Sequence, residues 1–425
     1  MHRAIIVTDL FFGDSGKGTI VDWATWELTT SGRSTLIVRH SGGAQAAHAV
    51  QTPEGQAHTF QQFGAGTFVP GVRTYLSEFM LVNPLTLFWE NERLKASGVN
   101  DALSRLLLHP EALVTSPWHM AANRYKEQKR GRARHGSCGL GIGETQAEAL
   151  AHPGDALRVQ HLANPVTLRE RLLRHRTRKR TECPGLMIDS DDEELDAWIK
   201  VCQNLLGSVT VAPKSFLQEH LARPNAATIF EGSQGVLLDE WRGFHPYTTW
   251  STVTTANAFH LLKGCGAEII SLGVLRGYAT RHGAGPFPTE DAALTKLLPD
   301  DTNPDNPWQG ELRVGWPDVG LLRYGLAVAG RIDAIAVTCL DRMKPIRDWK
   351  LATGYENLTL APGPWQDLTY QESLTKALAE AKPTYRSWTG SAEAHAADLA
   401  ALLDKPLGIT SWGKTASEKS GKFWK

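Results

Sequence analysis

The sequence lacks a charge imbalance and a long hydrophobic run. Its 425 residues contain 45 Lys and Arg against 45 Asp and Glu, so the net charge gives no reason to expect nucleic acid or an anionic membrane as a partner. No stretch approaches the ~20 apolar residues of a membrane span, and the apolar run near the start is too short for a signal peptide. We therefore expect a soluble, cytoplasmic protein with no nucleic-acid or membrane partner.

An organised set of cysteines is also missing. The five cysteines are scattered and form no CxxC pair or metal-ligand spacing, which favours buried or incidental thiols over disulfides or a metal site. An obvious linker, an internal repeat and a low-complexity segment are absent as well. A chain of this length can form one large α/β domain or two or three smaller ones. We expect a single domain over residues 1–425, with insertions at about 91–225 and 291–330.

The most informative stretch lies near the start of the chain. An apolar run at residues 4–7 predicts a buried strand, three glycines between residues 13 and 18 predict a tight turn, and residues 20–28 have the apolar spacing of a helix. Glycine lets a backbone approach a phosphate, and the first amides of a helix point at an anion. Lys17 lies inside this turn. Because Phe11 stands where a Walker A motif needs glycine, the residues alone leave open a phosphate-binding loop and an ordinary turn.

Further elements follow the same pattern of strand and loop. Two strand-then-loop units, at residues 4–18 and 34–48, stand side by side, which is typical of an open, mainly parallel sheet. Additional strands are predicted at Phe79–Trp89, Ala227–Phe230, Ile269–Ala279 and Arg331–Asp341, and residues 162–221 are predicted to be largely helical. The basic run from Lys126 to Arg134 has two interpretations, a solvated loop or a loop that faces a phosphate.

Five stretches of the chain, in the same order, resemble one family. GDSGKGTIVD, from Gly13, is similar to the GDEGKGK loop of adenylosuccinate synthetases, enzymes that couple IMP to aspartate at the expense of GTP. The other four are RHSGGAQAAHAV from Arg39, FEGSQGVLLDE from Phe230, GYATRHGAGPFPTE from Gly277 and VTCLD from Val337. The resemblance implies an α/β fold with a large, mostly parallel central sheet, flanking helices, a glycine-rich phosphate loop, and helical and loop insertions.

The family's reaction replaces a purine oxygen by an amine. Oxide is a poor leaving group, so the oxygen is first phosphorylated, which requires a base, a glycine-rich cradle with lysine and Mg²⁺, and an acid. The resemblance implies Asp14 as the base, Lys17 and His48 at the transferred phosphoryl group, and Asp14 with Ala47 beside Mg²⁺. It implies that GTP is held by Gly13, Ser15, Gly16, Lys17, Gly18, Asp341, Ser411 and Gly413.

The carboxylate of Asp341 can accept hydrogen bonds from both the ring NH and the amino group of guanine, which favours GTP over ATP. The family's lysine near this aspartate is replaced by Cys339.

Substrate binding is where the chain departs from the family. The resemblance implies that the acceptor and the amine are bound by Gln45, Ser137, Cys138, Gln234, Thr249, Arg281, Glu311 and Arg313. Gln45 stands for an asparagine, Ser137 and Cys138 stand for two threonines of the 5′-phosphate loop, and Leu140 stands for an arginine. No Lys or Arg occurs between Gly143 and Arg158, where the family supplies an arginine that reaches the partner subunit's phosphate.

The loop that receives the carboxylates of aspartate in the family is also changed. It retains Arg313 as its cation and gains Glu311, and one carboxylate repels another. We therefore expect weak use of IMP with aspartate and better use of a substrate pair with less negative charge.

The expected function is a GTP-dependent carbon–nitrogen ligase that acts on a 6-oxopurine and an amino-acid amine, as a homodimer. A paralogue with a different amine or a non-phosphorylated oxo-heterocycle remains open, and so does a catalytically retired nucleotide-binding regulator. The presence of Asp14, Lys17 and His48 together argues against retirement, because a binding module needs neither a base nor an acid.

Overall fold

A ten-stranded, mostly parallel sheet forms the centre of the protein. The computed structural model describes residues 1–131, 134–186, 192–300, 302 and 308–422. Its strands, numbered in chain order, are β1 (Arg3–Asp9), β2 (Ser34–Arg39), β3 (His48–Gln51), β4 (Ala57–Phe60), β5 (Arg73–Leu76), β6 (Leu81–Val82), β7 (Leu106–Leu108), β8 (Leu113–Val114), β9 (Thr210–Val211), β10 (Ala226–Glu231), β11 (Glu268–Arg276), β12 (Ala279–His282), β13 (Leu312–Gly315), β14 (Ala334–Thr338), β15 (Trp349–Tyr355), β16 (Pro383–Trp388), β17 (Leu407–Ser411) and β18 (Lys419–Gly421).

The order of strands in the large sheet is β18-β17-β14-β11-β1-β10-β2-β5-β7-β9. Neighbouring strands pair in parallel, except that β17 and β18 are antiparallel. The predicted fold class is therefore confirmed. The remaining described strands form four two-stranded sheets.

Helices flank the large sheet. They are α1 (Lys17–Thr30), α2 (Pro84–Ala96), α3 (Pro117–Arg130), α4 (Ile142–Ala151), α5 (Pro165–Glu182), α6 (Asp192–Leu206), α7 (Lys214–Leu221), α8 (Ala256–Leu261), α9 (Ala292–Leu297), α10 (Val319–Ala329), α11 (Leu368–Ala379) and α12 (Ala392–Leu402). Within the described part of the chain, no helix combines the length and apolar character needed to cross a bilayer.

Two of the predictions about elements were wrong. The stretch Phe79–Trp89 is not one strand: only Leu81–Val82 is extended, and α2 begins at Pro84. The side chain of Asn83 caps this helix by accepting from the backbone N–H of Thr86, which is the local signal that decides for helix. The basic run is not a loop up to Arg130, because it forms the end of α3. Arg132 and Ala133 of that run lie outside the described residues.

Register places polar residues at one edge of the sheet. The strand β1 is central and apolar, with Ile5 and Val7 fully buried between β10 and β11. At the carboxyl ends of the strands, Arg39 of β2 pairs with Glu231 of β10, and Arg276 of β11 pairs with Thr338 of β14. Ligands bind at the carboxyl ends of strands in open α/β sheets, so this edge is the candidate location of a binding site.

Candidate active site

The glycine-rich loop after β1 is organised by the carboxylate of Asp9. Its Oδ1 accepts from the backbone N–H groups of Phe11 at 2.9 Å and Gly13 at 3.3 Å. Its Oδ2 accepts from the N–H of Ser15 at 3.0 Å and from the Nζ of Lys17 at 3.1 Å. Asp9 and Lys17 are 1% and 3% exposed. This buried ion pair fixes the shape of the loop and compensates the charge of Lys17.

Asp14 lies in the same loop, with a positive φ of 31°. Its backbone carbonyl accepts from the Nε of Arg276, whose guanidinium also binds Asp300 at 3.0 Å. No donor of the described residues binds the Asp14 carboxyl. Burial raises the pKa of this carboxyl, and the charges of Arg276, His282 and Lys17 oppose the increase. A carboxyl with a raised pKa and no partner is suited to accept a proton.

His48 packs directly on the loop. A Cβ at Gly18 would lie 2.7 Å from the Cβ of His48, so this approach requires glycine. The Nδ1 of His48 is hydrogen-bonded to the carboxylate of Glu231, and both side chains are buried. Burial lowers the pKa of His48 to about 4, while the bond to Glu231 acts in the opposite direction. The Nε2 of His48 has no partner in the described part of the chain and is the atom left for a ligand.

Glu231 is held in its ionised form. Burial pushes its pKa upward, but the charge of Arg39 and the hydrogen bond from His48 outweigh burial and leave the pKa below its usual value. Its second oxygen accepts from the backbone N–H of Ala65 at 3.0 Å. Glu231 thus fixes the orientation of the His48 ring.

Two amide side chains line the next part of the site. The Oε1 of Gln234 and the Nε2 of Gln45 lie 3.0 and 3.1 Å from the point where a Cβ on Gly42 would be. Both polar atoms of the Gln45 amide and the Oε1 of Gln234 are buried and make no hydrogen bond to any described residue. Buried amide groups without partners are costly, so these groups are suited to a polar ligand that supplies the missing bonds. Thr249 is held by its backbone N–H, which donates to Leu238 at 2.8 Å.

The loop 136–143 rests on α3. The hydroxyl of Ser137 donates to Asn123 at 2.9 Å, and burial raises the pKa of the Cys138 thiol. The Nε of Arg124 donates to the carbonyl of Gly139 at 3.0 Å, and its guanidinium lies 5.6 Å from the ring centre of Trp308. Its terminal nitrogens make no hydrogen bond to a described residue. Arg124 therefore places a cation beside the loop in which Leu140 replaces the family's arginine.

Two further cations of α3 form ion pairs with carboxylates. The Nζ of Lys126 binds Glu144 at 2.7 Å, and the guanidinium of Arg130 binds Glu127 at 2.5 Å. These two groups do not restore positive charge to the loop 136–143.

Two arginines lie in the region that the family resemblance assigns to the amine. Arg281 is 1% exposed, donates to the carbonyls of Ala284 and Pro286, and lies 4.0 Å from the ring centre of Phe12. Arg313 forms an ion pair with Glu290 at 2.7 Å and donates to two loop carbonyls.

Burial and the charge of Arg313 lower the pKa of Arg281 to about 9. Glu311 is exposed, and its carbonyl accepts from Gly283. Because Arg313 is paired with Glu290, its charge is already neutralised by a carboxylate of the same chain.

The residues predicted to contact guanine lie on the other side of the phosphate loop. The hydroxyl of Thr338, at the end of β14, donates to the carbonyl of Ser15 at 2.7 Å. Thr19 of α1 donates to the carbonyl of Lys414 at 3.0 Å. Asp341 follows β14, and burial raises the pKa of its carboxyl. Ser411 ends β17, so the phosphate loop connects both regions.

The structure thus gathers the predicted residues around one loop, in three groups. Asp14, Lys17 and His48 lie at the loop itself, Gln45 and Gln234 lie beside it, and the loops 136–141 and 283–290 approach each other at Gly136 and Ala284. Ala47 is exposed next to His48.

Sequence reasoning missed Asp9, Glu231, Arg276 and Arg124. The first three end buried parallel strands, and a charged residue at that position is the signal that indicates them. Arg124 carries no such signal, because its contact with Gly139 depends on how the loop folds onto α3.

Comparisons with known proteins identify one family. The adenylosuccinate synthetase family model matches residues 6–405. The chain is 30% identical over 427 residues to the adenylosuccinate synthetase of Paraburkholderia phytofirmans, covering 97% of this chain and 88% of that one. It is 29% identical over 437 residues to the enzyme of Synechococcus, with coverages of 97% and 95%.

Two solved structures share the fold. Fully ligated adenylosuccinate synthetase from Plasmodium falciparum has a TM-score of 0.82 at 20% identity, covering 98% of this chain and 99% of that one. Cyanophage S-2L succinoaminodeoxyadenylate synthetase, solved with dGMP and with dATP as an energy donor, has a TM-score of 0.62 at 16% identity, with coverages of 99% and 95%. Because the family model matches residues 6–405, the chain belongs to the adenylosuccinate synthetase family of GTP-dependent carbon–nitrogen ligases.

Proposed function

We propose that this protein phosphorylates the 6-oxo group of a purine with GTP and displaces the phosphate with an amine. The observation that carries the proposal is the meeting of a carboxyl, an ammonium and an imidazole at one loop, where His48 touches Gly18, next to Lys17. These are the base, the cation and the acid that phosphoryl transfer to a lactam oxygen needs.

In the first step, the Asp14 carboxylate accepts the proton from the ring nitrogen next to the 6-oxo group. The oxygen then attacks the γ-phosphorus of GTP, and the bond to GDP breaks. The raised pKa of Asp14 makes it a stronger base than an exposed aspartate. In the second step, the amine nitrogen attacks C6, the bond from C6 to the original oxygen breaks, and phosphate leaves with that oxygen and with a proton from the amine.

His48 is neutral near pH 7 when no ligand is bound, because burial lowers its pKa to about 4. We propose that the negative charge of the γ-phosphoryl group raises this pKa. The imidazolium then donates from Nε2 to the phosphoryl oxygens and from Nδ1 to Glu231, which stabilises the transferred charge.

Magnesium fits the oxygen atoms at this loop. Mg²⁺ prefers one or two carboxylates together with substrate phosphates and waters, and no cluster of three or more His, Cys, Asp or Glu in the described residues offers a complete protein cage. We propose that the Asp14 carboxylate and the Ala47 carbonyl hold Mg²⁺, which when bound would neutralise charge on the triphosphate.

The amine is proposed to carry less negative charge than aspartate. Arg313 is paired with Glu290, and Glu311 adds a further carboxylate to the same loop. On the acceptor side, Arg124 is the candidate contact for a phosphate, while the amides of Gln45 and Gln234 are proposed to bind the purine nucleotide. The family resemblance implies that four further residues bind the acceptor or the amine: Ser137, Cys138, Thr249 and Arg281.

GTP is the proposed donor, held by Asp341, Ser411, Gly413 and the loop 13–18. Because a structural neighbour was solved with dATP as its energy donor, ATP belongs in the test. We also propose a single domain with insertions, a homodimer and a cytoplasmic location, as the resemblance implies.

The test measures GDP release and product mass. IMP, inosine and hypoxanthine are each combined with aspartate and with uncharged amino acids, using GTP or ATP as donor. We expect acceptor-dependent GDP release that is faster with an uncharged amino acid than with aspartate, and a loss of about 10²-fold or more in Asp14→Asn. Release that needs no oxopurine, or that survives in Asp14→Asn, would contradict the proposal. GTP binding without any turnover would indicate a retired regulator.

A further inference from the structure

The loop 411–418 carries two of the proposed base contacts, and Lys419 lies beneath it. Lys419 belongs to β18 and pairs with Ser411 across the β17–β18 ladder. Its Nζ donates to the carbonyl of Gly413 at 3.0 Å and to the carbonyl of Thr415 at 2.7 Å. Only 9% of Lys419 is exposed. A buried ammonium thus fixes the two carbonyls that follow the proposed contact Ser411.

The same loop is tightly folded around Glu418. The Glu418 carboxylate accepts from the N–H and the hydroxyl of Thr415, both at 2.8 Å. A Cβ at Gly413 would lie 2.0 Å from this carboxylate, so the loop has no room for a side chain there. Because the loop is tightly packed, the positions of the Ser411 and Gly413 backbone groups depend on the two hydrogen bonds that Lys419 donates.

The charged groups near Lys419 belong to the part of the site that is proposed to bind guanine. Burial lowers its pKa to about 8, and Asp22, Glu418, Cys339 and Asp341 act in the opposite direction. No carboxylate of a described residue forms an ion pair with it within 4.0 Å, so its hydrogen bonds serve the loop carbonyls. At position 339, close to Asp341, the family has a lysine and this chain has Cys339.

We infer that Lys419 determines guanine specificity by positioning the loop 411–415, which contains the proposed guanine contacts Ser411 and Gly413. It is a positioning residue, since its bonds go to the loop and not to the nucleotide. The inference rests on the proposed function, in which GTP is the donor. The hydroxyl of Thr19 in α1 donates to the carbonyl of Lys414 in this loop.

The test compares Lys419→Met with Lys422→Met, a matched change at an exposed lysine three residues further along. The assays are the KM for GTP, the GTP/ITP ratio of kcat/KM, and inhibition by tripolyphosphate, which has no base. Because two charge-assisted bonds are lost, we expect the KM for GTP to rise by about 10-fold or more in Lys419→Met. We also expect the GTP/ITP ratio to fall by about 5-fold or more, because ITP lacks the 2-amino group that Asp341 contacts.

Inhibition by tripolyphosphate and kcat at saturating GTP should stay within about 2-fold of wild type, and Lys422→Met should resemble wild type. Lys419→Arg, which keeps the charge and the donors, should keep the GTP/ITP ratio and guards against a Lys419→Met variant that does not fold. An unchanged GTP/ITP ratio in Lys419→Met, or equal losses for GTP and tripolyphosphate, would overturn the inference alone. A wild-type enzyme without preference for GTP would overturn the proposed donor and the inference with it.

Discussion

The carboxylate of Glu231 provides the sharpest test of the catalytic arrangement. Glu231→Gln keeps the size of the side chain and an oxygen that can accept from the Nδ1 of His48, but removes the negative charge. Glu231 is fully buried at the end of β10 and touches neither the triphosphate loop nor the acceptor amides through a described hydrogen bond. The change therefore reaches the phosphate loop through His48, which packs on Gly18.

The magnitude follows from the bond that is lost. A hydrogen bond to a charged group contributes about 1.5–3 kcal/mol, and a neutral one about 1 kcal/mol. Because the imidazolium stabilises the charge that is transferred, most of this difference appears in the transition state. The difference of about 0.5–2 kcal/mol corresponds to a fall in kcat of about 2- to 30-fold, and we expect the KM for GTP to stay within about 3-fold of wild type.

The direction of the pH effect is also fixed. Glu231 raises the pKa of His48, so without the carboxylate a lower pH is needed to reach the same fraction of imidazolium. The kcat profile of Glu231→Gln should move toward lower pH. Stopped assays of GDP release between pH 5.5 and 9 measure this.

Glu90→Gln is the matched control, because Glu90 is a fully buried carboxylate 3.8 Å from His58 and accepts backbone bonds away from the loop. It should lower stability without moving the kcat profile. Equal kcat and an unmoved profile in Glu231→Gln would refute the role of the pair.

Three further outcomes are expected. Asp341→Asn replaces one of two acceptors by a donor and should lower the preference for GTP over ATP in kcat/KM by about 10-fold; an unchanged ratio would remove Asp341 from base recognition. Arg124→Gln should raise the KM for IMP by about 10-fold and leave the KM for inosine unchanged, whereas the exposed Lys129→Gln on the same helix should change neither; equal effects on both acceptors would contradict a phosphate contact. Acidification from pH 6.5 toward 4 should lower the urea midpoint, since burial lowers the pKa of four histidines to about 4 from 6.5 and the unfolded chain binds protons first: His40, His48, His220 and His395. Asp22, whose pKa burial raises to about 7, acts in the opposite direction and reduces this loss; a midpoint that rises on acidification would contradict the assignment.

The central strands were predictable because their signals are local. The apolar run of β1, the glycines after it and the helical spacing of α1 lie within thirty residues, and β2, β10, β11 and β14 have similar apolar runs. The stretch Phe79–Trp89 was misread for a physical reason. A short apolar run fits a buried helix as well as a strand, and the cap at Asn83 with Pro84 after it is the information that separates the two.

The pairings inside the site were not predictable in the same way. His48 and Glu231 are 183 residues apart, and Asp14 and Arg276 are 262 apart. Each pairing depends on strand order, which single-sequence periodicity does not report. The region assigned to the amine shows a second limit of sequence-based prediction. The sequence identifies Arg313 as a cation of this region, but its pairing with Glu290 depends on how the loop 283–290 folds back.

The arrangement explains how the donor chemistry can stay constant while the substrates change. Asp9, Glu231 and Arg276 end neighbouring strands of the sheet, so the register of β1, β10 and β11 fixes the phosphate loop and His48 together. The loop 136–141 instead packs on α3 and approaches the loop 283–290 at Gly136 and Ala284, and the carbonyl of Glu311 accepts from Gly283. A substitution such as Leu140 or Glu311 therefore alters the charge offered to the acceptor or the amine without disturbing the strands that hold the base and the acid. This separation favours divergence in substrate over loss of phosphoryl transfer, and it is why Arg124 and Glu311 are the positions at which exchanging charge should redirect specificity.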